Sequence, residues 1–102
     1  MQIWLDDMRP IPDDGGDWIH VENAKDFKFY VENFQHNITK ISFDHDLGLT
    51  EPTGYDLATW LEEKMALGKI KFLHDVEFTV HSANPIGAAR IDQTIESMKR
   101  FL

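Results

Sequence analysis

Cysteine is absent, basic residues are few (10 Lys+Arg against 18 Asp+Glu), and no apolar run is long enough to cross a bilayer. Each shortage excludes a class of function. Without cysteine there is no disulfide framework, no thiolate zinc site and no cysteine nucleophile, a pattern that fits a reducing compartment. A net charge of -8 opposes encounters with nucleic acid and anionic membranes, so no broad basic nucleic-acid surface is expected. A phosphate ligand would need a local cation. No segment approaches the ~18 apolar residues of a membrane span, and the N-terminus shows no signal-peptide pattern. The expectation is a cytoplasmic domain with no membrane partner. Neither an internal repeat nor a low-complexity segment appears, and 102 residues at 42% hydrophobic read as a single domain, 1–102, with one compact core.

Short apolar runs alternate with amphipathic stretches. Gln2-Ile3-Trp4-Leu5 reads as a buried strand ending in Asp6-Asp7, and Met8 to Gly16, with two prolines and two glycines, as a loop. Trp18 to Val21 is a second strand. Asn23 caps a helix from Ala24 to about Phe34 whose apolar face is Phe27, Tyr30, Val31 and Phe34. Lys40 to Phe43 is a third strand ending in Asp44-His45-Asp46; after a turn-rich stretch from 47 to 52, Thr53 and Asp56 open a helix that Gly68 stops. Val76, Phe78 and Val80 alternate with Glu77, Thr79 and His81 as a half-solvated strand would. Asn84-Pro85 then starts a last helix with Ile91, Ile95, Met98 and Leu102 on one face. Trp4, Trp18 and Trp60 read as core. The pattern predicts an α/β protein with a four-stranded parallel sheet in order 2-1-3-4, the fourth strand at an edge, and about three helices.

Polar residues collect after three of the strands: Asp6-Asp7, then Asp44-His45-Asp46, then His81-Ser82 with Asn84. Ligands of open parallel sheets bind beyond the C-terminal strand ends, so these clusters are expected to converge. Asp alone favours strand ends for its turn chemistry, and Asn84 is first of all a helix cap. Two acidic pairs after two strands are a stronger signal than one. Crowded carboxylates raise one another's pKa unless a positive charge sits among them. Magnesium answers that need and can bridge to phosphate, while the imidazoles of His45 and His81 leave manganese, iron or zinc open. His20, His36 and His74 fit no ligand spacing.

The order and spacing of Ile3-Trp4-Leu5-Asp6-Asp7, Ile41-Ser42-Phe43-Asp44, Gly54-Tyr55-Asp56-Leu57 and Val80-His81-Ser82-Ala83 resemble the response-regulator receiver domain, a flavodoxin-like three-layer sandwich. The resemblance implies that Asp6, Asp7 and Asp44 hold magnesium, that the backbone of Asp46 lies near it, and that Ser82 touches a phosphoryl group. Two departures stand out: there is no fifth strand ending in the family's Lys, and no room for a first helix between Asp7 and Trp18. A narrower resemblance accommodates both. The LDD…R-P, DHDLG, TGYD and HSANP…G…R pattern, running from Trp4 to Arg90, is similar to the cyclic-phosphate processing receiver family of small bacterial and phage proteins. Where that family has Gly-Arg, this chain reads Gly87-Ala88-Ala89-Arg90.

These readings lead to a metal-dependent phosphoesterase acting on cyclic phosphates, either RNA 2′,3′-cyclic ends or cyclic nucleotides. Its partner is thus a phosphate-containing small molecule or an RNA end. Asp6, Asp7, Asp44 and Asp46 are the expected metal residues; His45 and His81 divide acid and base roles; Ser82, Asn84 and Arg90 bind phosphate. Direct attack by Asp44, forming an aspartyl phosphate, is a variant. The alternative is a degenerate receiver that holds a metal as a protein-interaction module without turnover.

Overall fold

The computed structural model describes residues 1–48 and 50–102, so one position of the turn-rich stretch from 47 to 52 lies outside it. Its elements are β1 (Gln2–Leu5), β2 (Trp18–Val21), α1 (Ala24–Phe34), β3 (Lys40–Phe43), α2 (Gly54–Ala66), β4 (Glu77–Val80) and α3 (Pro85–Met98), followed by a 3-10 turn at Lys99–Phe101. The strands form one parallel sheet in the order β2-β1-β3-β4, the expected receiver-like α/β layout with β4 at an edge. Val76 and His81, expected within the last strand, flank it.

Helix ends follow local chemistry. Asn23 accepts from the Asp26 N–H, and Thr53 with Asp56 forms a reciprocal capping box. Asn84 caps α3 ahead of Pro85, whose missing N–H costs nothing in the first turn. Leu102, expected on the apolar face of the last helix, is instead 46% exposed. The chain tightens to 3-10 geometry after the buried Met98, and its three residues per turn break the 3.6-residue stripe.

Strand order and handedness decide where the helices lie. The β2-α1-β3 and β3-α2-β4 crossovers advance in the same direction, so right-handedness puts α1 and α2 on one face. There the Phe27 ring meets Phe43 at 5.7 Å and Trp60 at 6.2 Å, and α3 packs on α2. Ile3, Leu5, Ile41, Phe43 and Phe78 supply the sheet's side of that core; burying a side chain such as Phe27 contributes roughly 1.5–3 kcal/mol. The opposite face carries Gln2, Trp4, Trp18, Ser42 and Thr79, and among the described residues no helix covers it. The β1-β2 loop covers part of it: Trp4 Nε1 donates to the Arg9 carbonyl at 3.1 Å and Trp18 Nε1 to Asp14 Oδ1 at 2.9 Å. The third layer is therefore loop rather than helix, as the short connection between Asp7 and Trp18 requires.

Gly54 ties this frame to the sequence's acidic loop. Its N–H donates to the His45 carbonyl at 2.7 Å, and a Cβ there would collide with the Asp44 carbonyl oxygen. Gly54→Ala should therefore destabilise the protein by about 1–3 kcal/mol, the usual range for overpacking, in urea unfolding. An unchanged midpoint would contradict this docking.

Candidate functional site

The parallel register builds the site. Leu5, Phe43 and Val80 stand side by side in one row. The ladder runs one residue further, with Asp6 N–H donating to Val21 O at 3.0 Å, Asp44 N–H to Leu5 O at 2.9 Å and His81 N–H to Phe43 O at 3.0 Å. Asp6, Asp44 and His81 therefore form the next row. Since strand side chains alternate, this row belongs with Trp4, Ser42 and Thr79 on the face without helices. Donor atoms of Asp6, Asp44 and His81 lie within 4.8 Å of one another, close enough to share a metal ion.

Asp6 is 1% exposed and fully engaged. Its Oδ1 accepts from the Met8 and Arg9 backbone N–H groups at 2.8 and 2.7 Å, its Oδ2 lies 3.0 Å from His81 Nε2, and its carbonyl takes the His20 Nε2–H at 2.7 Å. Burial pushes its pKa upward, but the Arg9 and Met8 N–H groups and His81 together outweigh that and lower it. Asp44 moves the other way: burial and then the neighbouring Asp6 charge raise its pKa. Burial also lowers the His81 pKa, against the opposing pull of Asp6, and so favours the neutral ring. That ring stacks on Trp4 with centroids 3.6 Å apart, and its Nδ1 sits 2.7 Å from Ser42 Oγ. Trp4, expected as core, thus stands outside the hydrophobic core on the face away from the helices and forms a wall of the site.

A cleft of about 200 Å³ opens beside the row, lined by Asp6, Asp7, Met8, Arg9, Asp44, Asp46 and Ala83. Four carboxylates face one guanidinium there, an imbalance suited to a bound cation. Asp7 and Asp46 line the cleft but stand outside the tight cluster, because each comes after its row position and follows the loop. Asp46 Oδ1 lies 2.9 Å from His45 Nδ1, and the His45 ring packs where a Cβ on Gly87 would fall, so His45, expected as an acid or base, meets the cleft through Asp46 and is not itself among its lining residues.

The three residues expected to bind phosphate are otherwise engaged. Ser82 Oγ accepts from the Asn84 N–H and Asn84 Oδ1 from the Gly87 N–H, both at 3.0 Å, so their oxygens serve the entry to α3. Arg90 lies 4.0 Å over the Tyr55 ring. None of the three lines the cleft, whereas Arg9 does and also donates through Nη1 to the His81 carbonyl. Arg9 is the arginine of the LDD…R-P pattern, to which the sequence assigns no site role; its place close behind the acidic pair is the signal for one. Ser42 and Thr79 were also missed, since only cross-strand register links them to His81.

The electrostatics predict a sign. Asp44 has a folded pKa above its unfolded one, so in chelator its contribution favours the fold at low pH and is lost as pH rises through the folded value. Asp44→Asn should raise the melting temperature by a few degrees at neutral pH in EDTA. A lower melting temperature would show the carboxylate to be a structural asset.

No curated protein and no solved structure matches the chain. A family model does, over residues 1–97, and it is that of the cyclic-phosphate processing receiver domain. With nearly the whole length matched and the acidic row at the ends of a receiver-like sheet, the chain belongs to the cyclic-phosphate processing receiver family.

Proposed function

We propose that this protein is a metal-dependent phosphoesterase that opens cyclic phosphates, with RNA 2′,3′-cyclic ends or cyclic nucleotides as substrates. The observation that carries the reading is the Asp6, Asp44 and His81 donor group at the edge of a cleft with excess negative charge. These three residues would hold a divalent cation. The imidazole in the set moves the preference from Mg²⁺ toward a transition metal such as Mn²⁺, Fe²⁺ or Zn²⁺. When bound, the cation supplies polarisation of a phosphoryl oxygen and a lower pKa for an attacking water.

The remaining residues divide the other tasks. Arg9 takes the phosphate charge that the expected Arg90, stacked on Tyr55, does not reach. The Asp46 carboxylate orients His45 through Nδ1, leaving Nε2 to move a proton between water and the leaving oxygen. His81, expected from the sequence as a second acid or base, is reassigned here to the cation because its Nε2 faces Asp6 and Asp44. Asp7 remains a candidate for water or cation contacts at the cleft wall. Asn84 Nδ2 and the Ser82 hydroxyl keep donors free for phosphate oxygens at the start of α3. A cleft of about 200 Å³ suits a phosphoryl group with part of a ribose, leaving the base of either substrate outside it.

Hydrolysis of an oligonucleotide ending in a 2′,3′-cyclic phosphate, followed with Mn²⁺, Mg²⁺ or EDTA, tests this. Turnover should need the cation. His45→Ala should lower it by roughly 10²–10⁴ with cation affinity nearly intact, whereas His81→Ala should weaken cation binding itself. Cation binding without turnover on any cyclic phosphate would reject the enzyme and favour the interaction module.

A further inference from the structure

Behind the metal-facing edge of His81 lies a hydrogen-bonded chain that the proposed chemistry does not yet use. Thr79 Oγ1 is 2.8 Å from Ser42 Oγ, Ser42 Oγ is 2.7 Å from His81 Nδ1, and His81 Nε2 is 3.0 Å from Asp6 Oδ2. Ser42 is 3% exposed, whereas Thr79 is only partly buried, on the face of an edge strand without helices. The directions follow from the far end of the chain. Thr79 Oγ1 donates to Ser42 Oγ, which leaves the Ser42 hydrogen for Nδ1. Nδ1 thus accepts, and Nε2 carries the ring proton toward Asp6 Oδ2, whose partner oxygen already accepts from two backbone N–H groups.

We propose that Thr79 and Ser42 form a proton wire that lets His81 exchange its Nε2 proton for one on Nδ1 when a divalent cation takes Nε2. The proposal rests on the reading of Asp6, Asp44 and His81 as a cation site. The steps balance. The Nε2 proton leaves to water through the cleft. Ser42 passes its hydrogen to Nδ1, Thr79 passes its own to Ser42, and Thr79 takes one from water on the open face. The two bonds behind the ring then point the other way, with Nδ1–H donating to Ser42 and Ser42 to Thr79, while the Nε2–H bond to Asp6 is given up to the cation. Ser42 and Thr79 are positioning residues: they support the ring state a cation needs without touching the ligand. Hydroxyls both donate and accept, so each can hand on one proton while taking another, which a carbonyl behind Nδ1 could not do.

Long-range ¹H–¹⁵N NMR of the His81 ring reads the tautomer directly, with Zn²⁺ as a diamagnetic probe. Metal-free wild type should carry its proton on Nε2 with Nδ1 as a hydrogen-bonded acceptor, and Zn²⁺ should move the proton to Nδ1. In Ser42→Ala the metal-free ring should stay protonated on Nε2 while the Nδ1 resonance shifts for want of its donor. Zn²⁺ affinity should fall by about 10–100-fold, the range for lost outer-shell partners. Thr79→Val should leave the metal-free ring unchanged and weaken only the Zn²⁺-loaded state, because Ser42 then has nowhere to donate; it also serves should Ser42→Ala fail to fold. If Thr79→Val binds Zn²⁺ as tightly as wild type, or Ser42→Ala leaves Nδ1 unmoved, the wire is overturned. A metal-free ring that behaves as described but ignores Zn²⁺ would overturn the cation site and the exchange with it, while leaving the Thr79-Ser42-Nδ1 bond direction established.

Discussion

The site depends on the hydrogen-bond ladder running one residue past three parallel strands. Because Asp6, Asp44 and His81 each donate a backbone N–H to the neighbouring strand, their side chains stand in one row at spacings set by the sheet. Neighbouring parallel strands lie only about 4.8 Å apart, so two carboxylates and an imbalance of charge are forced together before any side-chain preference is expressed. The loop after β1 and the Gly54 contact behind Asp44 then hold the row in place. The fold concentrates charge, and a cation is the economical way to relieve it.

The members of the row meet that constraint differently. Asp6 is saturated by backbone donors and His81, and ionises readily despite burial. Asp44 has only the His45 N–H at 2.9 Å and meets both burial and the Asp6 charge, so its ionised form is disfavoured. A carboxyl held in an environment that disfavours its charge is a candidate for binding a cation, which would relieve that cost. His81 is braced on three sides, by Trp4 against its face and by Ser42 and Asp6 at its two nitrogens.

Much of this was legible in the sequence. Apolar runs ending in acid marked β1 and β3, caps at Asn23, Thr53 and Asn84 marked the helix starts, and the alternation from Val76 to Val80 marked an edge strand. Convergence of the acidic strand ends followed from the crevice rule. What was not legible depended on register and competition. Neither residue type nor spacing reveals that Ser42 and Thr79 back onto His81, because that contact joins positions 39 residues apart through strand pairing. Residue type places Ser82 and Asn84 after a strand but does not show that the entry to α3 takes up their oxygens and leaves only their hydrogens to offer a phosphate. Arg90 was favoured for its motif, but two turns into α3 it lies over Tyr55, while Arg9, hidden in a loop of irregular backbone, reaches the cleft.

The central claim is that strand register makes a divalent cation site from Asp6, Asp44 and His81. Crystals soaked in Mn²⁺ and measured for anomalous scattering test it most directly. A strong peak within coordination distance of all three side chains is the expected result, and a strong peak elsewhere, or none at saturating Mn²⁺, would contradict it.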